Sequence, residues 1–457
     1  MRSGESAPRR ASLRSALTSG NLPRLDRYPW HVHPLACARL PIRPTQLLGG
    51  SVPIPAFTSF LTALRCAETG AAHDPGVLQS VSLGAGATLL PEYDLDAVRA
   101  AVTSEDIRQR PHDLWRFREL LPLDNPLQTP DLGAGATPLL RLRRLCEHFG
   151  LTNLWLKDEG ANPTGTFKAR GAAVGVARAY ELGVRDIAIP TAGNAGSAWA
   201  AYCAAWGITL RVVMPVNTPD PIKAECIAYG ADVTEVRGVI SDAGRIASER
   251  AAAAGWFDAS TMKEPYRVEG KKTMGLEIAE AFDWDPPDVV LYPTGGGVGL
   301  IGVWKAMREL ADLGWLRGTP PRLIAVQAAG CAPIVQAWEA GVPDAERPDD
   351  PRTVANGLLV PLPFAHRLIL RILRETGGTA VAVEDDQLVH AMRQLADLEG
   401  VLAAPEGAAL VPALTTLLQR GDIGRDERIV LLNTGNALKY THLVDLPARP
   451  PIDPLPA

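Results

Sequence analysis

Lys168 lies in the run Asn162-Pro-Thr-Gly-Thr-Phe-Lys-Ala-Arg170, after a turn-forming Asn-Pro-Thr-Gly and at the start of an alanine-rich, helix-like stretch. At the positive end of a helix dipole a lysine's protonated form is disfavoured and its free amine is more available. Such an amine can form a Schiff base with a carbonyl compound. Thr191-Ala-Gly-Asn-Ala-Gly196 falls where a strand should give way to a helix, a junction from which α/β sheets present residues to ligands. There Asn194 can donate an amide hydrogen bond to a phenolate-like oxygen, or act only as a helix cap.

Two further motifs follow candidate strands. In Thr294-Gly-Gly-Gly-Val-Gly299, the backbone N–H groups of Gly295, Gly296, Gly297, Val298 and Gly299 can close round a phosphate at a helix N-terminus. Gly297, Gly299 and Gly302 formally fit a dinucleotide fingerprint, but the next strand ends at Gln327 with no acid at its tip. Phosphate binding is therefore the expectation. In Asn433-Thr-Gly-Asn-Ala-Leu-Lys439, the Thr434 hydroxyl can bond a pyridine nitrogen without protonating it, or simply cap a turn. A neutral pyridine is a weaker electron sink, which suits elimination and replacement better than transamination. Together these four features describe one cofactor, pyridoxal phosphate.

The elements that must carry these residues are legible as a rhythm. Strands are expected at 153–157, 186–189, 209–214, 232–236, 288–292, 322–327, 379–383 and 428–432. Helices between the early ones stop at Gly183, Gly207, Gly230 and Gly255, where glycine supplies the left-handed residue that ends a helix. Strand–helix units about 24 residues long imply an α/β fold with parallel twisted sheets covered by helices on both faces. Residues 341–356 read as a surface loop.

A chain of 457 residues has room for two or three domains, and a net charge of −5 argues against a nucleic-acid or anionic-membrane partner. No apolar stretch approaches the roughly 20 residues that span a bilayer. Six cysteines without a CxxC pair read as reduced thiols in a cytoplasmic protein. His31 and His33 form an H-x-H pair with no acidic or cysteine partner nearby, too little for a metal site. Residues 1–57 are rich in Ser, Pro and Arg and read as a disordered or targeting-like extension.

From about Leu114 to Lys439 the sequence resembles threonine synthase and its paralogues, fold-type II pyridoxal-phosphate enzymes. Residues 154–168 are similar to that family's cofactor-lysine segment, 267–277 to its substrate-side segment and 434–439 to its C-terminal motif. The resemblance implies a Schiff base on Lys168, which also shuttles protons. It places Asn194 on the ring oxygen, Gly295, Gly296, Gly297, Val298 and Gly299 on the phosphate, and Thr434 on the ring nitrogen. It also implies a large cofactor domain (96–171 with 263–446), a small mobile domain (172–262), a tail (447–457) and a homodimer. Residues 58–95 are similar to a small zinc ribbon that precedes this domain in some paralogues. Only Cys66 of its four cysteines remains, so no metal is expected.

The family reaction removes protons at Cα and Cβ of O-phospho-L-homoserine, expels phosphate and adds water at Cβ. Thr164, Thr166, Arg267, Lys271 and Lys272 are the candidates for binding substrate. This chain has Glu264 where the motif commonly has Asn, and a carboxylate facing a substrate phosphate at about 4 Å would cost on the order of 1–4 kcal/mol. Phe167-Lys-Ala-Arg-Gly-Ala172 also resembles serine/threonine dehydratases, and a cysteate-synthase-like replacement enzyme is a third reading.

Overall fold

A computed structural model describes Phe57 and residues 59–444. The expectations for the N-terminal extension up to residue 56, for the His31 and His33 pair and for the 447–457 tail lie outside the described residues.

Three sheets carry the chain. Strands β1 (Leu61–Cys66), β2 (Ala72–His73) and β3 (Leu89–Tyr93) form a small antiparallel sheet in the order β2-β1-β3. A six-stranded sheet contains β4 (Leu139–Arg141), β5 (Asn153–Asp158), β10 (Val289–Pro293), β11 (Arg322–Ala328), β12 (Thr379–Val383) and β13 (Arg428–Asn433). A four-stranded sheet contains β6 (Asp186–Pro190), β7 (Thr209–Pro215), β8 (Asp232–Val236) and β9 (Phe257–Asp258), in the order β8-β7-β6-β9. Every pairing in the two larger sheets is parallel except β4 with β5. The eight expected strands all form, each within a residue or so of its expected ends.

The apolar text of β10 and β13 follows from their position. Both are central, both faces are covered, and Val290 and Leu291 pair with Val430 and Leu431 in a wholly buried register. The helix Arg267–Ala281 goes further and is buried from Arg267 through Ala279, wedged between the helices Lys168–Glu181 and Val298–Asp312. A helix enclosed on all sides has no solvent stripe, so its charged residues must find partners inside the protein.

The order β12-β11-β10-β13-β5-β4 holds the key to the site. The chain runs outward through β10, β11 and β12, then returns to place β13 between β10 and β5. Open parallel sheets bind ligands outside the carboxyl ends of their strands, at the place where the winding direction reverses. Here the three adjacent strands at that reversal end in the Lys168 loop, the Thr434 turn and the glycine loop.

Residues 61–93 do not follow the strand–helix rhythm. Their small sheet has its own core of Leu64, Cys66, Leu89 and Tyr266. Thr69 N donates to Cys66 Sγ at 3.5 Å and His73 Nε2 lies 3.1 Å from Ser82 Oγ. Burial pushes the Cys66 thiol up, but hydrogen bonds from Thr69 and Ser82 outweigh it and bring the group to about 7.

Candidate active site

The loop that delivers Lys168 is fixed from beneath by a buried ionic network. Arg170, on the first turn of the lysine helix, donates to Glu159 through Nε (2.5 Å) and Nη2 (2.8 Å), and to Glu277 through Nη1 (2.6 Å) and Nη2 (2.7 Å). Thr273 accepts its remaining Nη1 hydrogen at 2.8 Å, Thr137 shares the Nη2 hydrogens at 3.0 Å, and Lys157 Nζ reaches Glu277 at 2.6 Å. Burial alone would raise the Glu277 carboxyl, yet Arg170 and Lys157 hold it well below the usual carboxylate range. Asn162 Nδ2 donates to Glu159 at 2.8 Å, tying the start of the Asn-Pro-Thr-Gly turn to the same cluster. Thr164 then takes a φ of 58°, a left-handed conformation rare for a threonine.

Lys168 is the first residue of the helix Lys168–Glu181 and is half-buried. Its Nζ sits 4.2 Å from the centroid of the Phe167 ring. Burial and then the Arg267 charge lower its pKa to about 8, with Glu406 pulling the other way. The availability expected from the helix dipole is there, but desolvation is its first cause. Lys271 Nζ donates to the carbonyls of Phe167 (2.7 Å) and Lys168 (3.1 Å), gripping the turn that presents the amine. Burial, Lys168 and Arg267 push the Lys271 ammonium well down.

The glycine loop is as tight as its sequence implies. Gly297 has a φ of +72°, and a side chain there would collide with Ile369. A Cβ on Gly295 would run into the carbonyl of Gly357, and one on Gly299 into the Tyr292 ring. Gly296 is the open member, with only Thr261 Cγ2 at 3.4 Å. The helix Val298–Asp312 begins here with no side-chain cap, which leaves the Val298 N–H at its positive end for an anion, while the Gly299 N–H faces the Tyr292 hydroxyl.

Thr434 is buried at the end of β13, and its carbonyl accepts from Phe167 N at 3.0 Å, which places it beside the lysine. Asn194 opens the helix Asn194–Trp206, and its Oδ1 is buried without a partner. Two residues that the motifs did not flag complete the arrangement. Tyr440 is buried and donates to Glu406 Oε1 at 2.8 Å. Glu406 Oε1 accepts from Gly357 N at 2.7 Å as well. The sequence did hold a signal for Glu406. It is the one carboxylate in the otherwise apolar run 401–411, and a buried acid needs a reason to be there.

The five expected substrate residues separate. Thr164 Oγ1 is buried and unpartnered beside the lysine turn. Thr166 is buried, bridges to Gly435 through its backbone and accepts from Lys168 N at 3.4 Å. Arg267 stands at the head of its helix, over the Trp199 ring at 4.8 Å, with Nη1 donating to Thr261 at 3.1 Å. Lys271 lies against the lysine turn. Lys272 does not belong with them, because helical spacing turns it to another side. There it is fully buried between Glu269 (2.5 Å) and Glu309 (2.7 Å), over the Tyr93 ring. The repulsion expected of Glu264 also disappears. Its carboxylate accepts from Tyr266 N (2.6 Å), Arg267 N (3.1 Å) and Arg267 Nε (3.0 Å), capping the helix and holding the charged arginine in place.

Residues 131–435 match the family described as "Pyridoxal-phosphate dependent enzyme". The chain belongs to that family. Within it the chain groups with the threonine synthases. It is 34% identical to the threonine synthase of Methanosarcina acetivorans, over 82% of this chain and 92% of that one. The threonine synthase of Methanocaldococcus jannaschii is 34% identical, with the same coverage. Among solved structures, a threonine deaminase from T.th. is 28% identical with a TM-score of 0.56, over 66% of this chain and 92% of that one. Maize serine racemase, at 22% identity, has a TM-score of 0.58 over 67% of this chain and 92% of that one, a likeness of fold. The protein is thus a pyridoxal-phosphate-dependent lyase of fold type II. Its residues suit the cofactor: an uncapped helix N-terminus behind three glycines, two of which leave no room for a side chain, and a lysine with a lowered pKa.

Proposed function

We propose that this enzyme is a threonine synthase, converting O-phospho-L-homoserine and water to L-threonine and phosphate. The observation that carries this is the convergence of Lys168, the glycine loop and Thr434 on three adjacent strand ends, in a chain 34% identical to threonine synthases over most of its length. In this reading Lys168 holds the cofactor's carbonyl carbon, the N–H groups of Gly295, Gly296, Gly297 and Val298 hold its phosphate, Asn194 its ring oxygen and Thr434 its ring nitrogen. The bound cofactor supplies an electron sink for negative charge developing on the substrate.

Lys168 Nζ is suited to taking and returning protons at Cα and Cβ, since its pKa of about 8 lies near working pH. Arg267 contributes positive charge for the substrate phosphate, held in place by Glu264 and Thr261. Thr164 Oγ1 offers a neutral donor, and Lys271 fixes the backbone beneath the amine. The 172–262 segment, which contains the four-stranded sheet, would be the small domain that closes over substrate. A homodimer accords with the family resemblance. A cytoplasmic location accords with the free, buried state of the five described cysteines, and none of the described helices is long and apolar enough to cross a membrane.

Phosphate release from O-phospho-L-homoserine by the cofactor-loaded enzyme tests the proposal, with stoichiometric threonine as the expected product. One observation favours a dehydratase instead, namely the 28% identity to a threonine deaminase. Ammonia and a keto acid from threonine or serine, with no phosphate release from O-phospho-L-homoserine, would establish that reading and sink the first.

A further inference from the structure

Arg267 is wrapped by the short strap of chain that precedes it. Ala259 O accepts from its Nη2, Thr261 Oγ1 from Nη1 at 3.1 Å and Glu264 Oε2 from Nε at 3.0 Å. All three acceptors belong to residues 259–264, so the path of that backbone decides where the guanidinium points. The path needs outside support. Met262 holds a φ of 63°, a left-handed conformation uncommon for a residue with a side chain, and such backbone persists only where its surroundings fix it. The strap also reaches the phosphate cradle, because Thr261 Cγ2 is the atom a Cβ on Gly296 would meet.

The fixing groups come from the small sheet of β1, β2 and β3. Thr88 Oγ1, buried just before β3, donates to the Met262 carbonyl at 3.1 Å across 174 residues of sequence. Tyr266, next to Arg267, is wholly buried and completes the core that Leu64, Cys66 and Leu89 supply from β1 and β3. Beyond β2, the Pro75 carbonyl accepts from Arg178 Nη2 at 3.1 Å, and that guanidinium lies 5.9 Å from the centroid of the Tyr266 ring. The small sheet thus holds the strap at Met262 and at Tyr266, on either side of Glu264.

We infer that the small sheet is a positioning module for the substrate anion: Thr88 and Tyr266 fix the 259–267 strap and through it set the guanidinium of Arg267. The inference rests on the reading above in which Arg267 meets the substrate phosphate. Thr88 and Tyr266 are positioning residues, since both act through the arginine.

The probe is inorganic phosphate, titrated calorimetrically into the purified, cofactor-loaded full chain. Thr88→Val should weaken phosphate binding about fivefold, the size of one lost hydrogen bond. It should raise KM for O-phospho-L-homoserine by the same factor, with kcat and the visible absorption unchanged. Thr88→Ser, which keeps the hydroxyl, should bind as wild type. Arg267→Gln should weaken binding more, and adding Thr88→Val to it should cost less than about a further twofold. Wild-type affinity in Thr88→Val, a loss that Thr88→Ser does not restore, or a loss that persists in the Arg267→Gln background would overturn the inference. If Thr88→Val does not fold, Thr88→Ala runs the same cycle, since it removes the hydroxyl without adding bulk. The underlying reading fails separately: an Arg267→Gln holoenzyme that binds phosphate as tightly as wild type takes the arginine out of the substrate site, and the positioning role of the small sheet with it.

Discussion

Glu264→Gln distinguishes two opposed accounts of the same carboxylate. If Glu264 faced the substrate phosphate, removing its charge would relieve about 1–4 kcal/mol of repulsion and improve turnover. The structure gives the opposite sign. Glu264 is buried, caps the helix Arg267–Ala281 through Tyr266 N and Arg267 N, and holds Arg267 Nε at 3.0 Å. Hydrogen bonds to charged groups contribute about 1.5–3 kcal/mol. Glutamine keeps one acceptor oxygen but loses the ion pair, so Arg267 is left over Trp199 with no carboxylate to fix it. If that loss falls on the placement of Arg267 for substrate phosphate, kcat/KM for O-phospho-L-homoserine should drop about 10- to 150-fold. The assay is initial-rate phosphate release, alongside thermal unfolding to confirm that the variant is folded. An unchanged or improved kcat/KM in a folded Glu264→Gln enzyme would refute the capping account.

Lys168→Ala should abolish both turnover and the visible absorption of the bound cofactor, and near-normal product formation would remove the lysine from the mechanism. Because the pKa of Lys168 is lowered to about 8, its neutral fraction should be about a tenth at pH 7, against less than a thousandth for an unshifted lysine. Cofactor capture by apo enzyme should therefore rise with pH up to about 8 and level off above it; a rise continuing to pH 10 would contradict the burial of this amine. Arg170→Met leaves Glu159 with no cation and Glu277 with Lys157 alone, which should destabilise the protein by about 3–5 kcal/mol. A lower urea midpoint with cofactor-free protein checks this, and an unchanged midpoint would show that the network does not hold the lysine loop. Gly295→Ala pushes a methyl group into the Gly357 carbonyl and should weaken cofactor binding at least tenfold by equilibrium titration.

The parallel strands were legible because each is short, apolar and closed by a turn, and because glycine marks the end of each early helix. What escaped was set by tertiary context. The two residues of β9 carry too little pattern to register as a strand, yet they pair with β6 and complete the second sheet. The helix Arg267–Ala281 is enclosed on every side, so its sequence does not separate a lysine that meets the site from one that turns away from it. Enclosure sends Lys271 to two backbone carbonyls and Lys272 to two buried carboxylates, and adjacent positions in sequence acquire unrelated tasks.

The site divides along the same physical line. A phosphate cradle or a helix-start lysine is a local motif, because the backbone conformation that makes it work is encoded in neighbouring residues. Orientation is not local. The arginine at the head of one helix is aimed by a glutamate three residues earlier, whose carboxylate looks repulsive until its direction is known. The carboxylate of Glu406 is held by the Tyr440 hydroxyl and Gly357 N, 34 and 49 residues away in sequence. Their meeting depends on β13 returning between β10 and β5, a crossover that no short segment specifies. Chemistry of this kind can be read from motifs as far as the identity of the reacting groups. The direction each group faces belongs to the topology that brings distant hydrogen-bond partners to it.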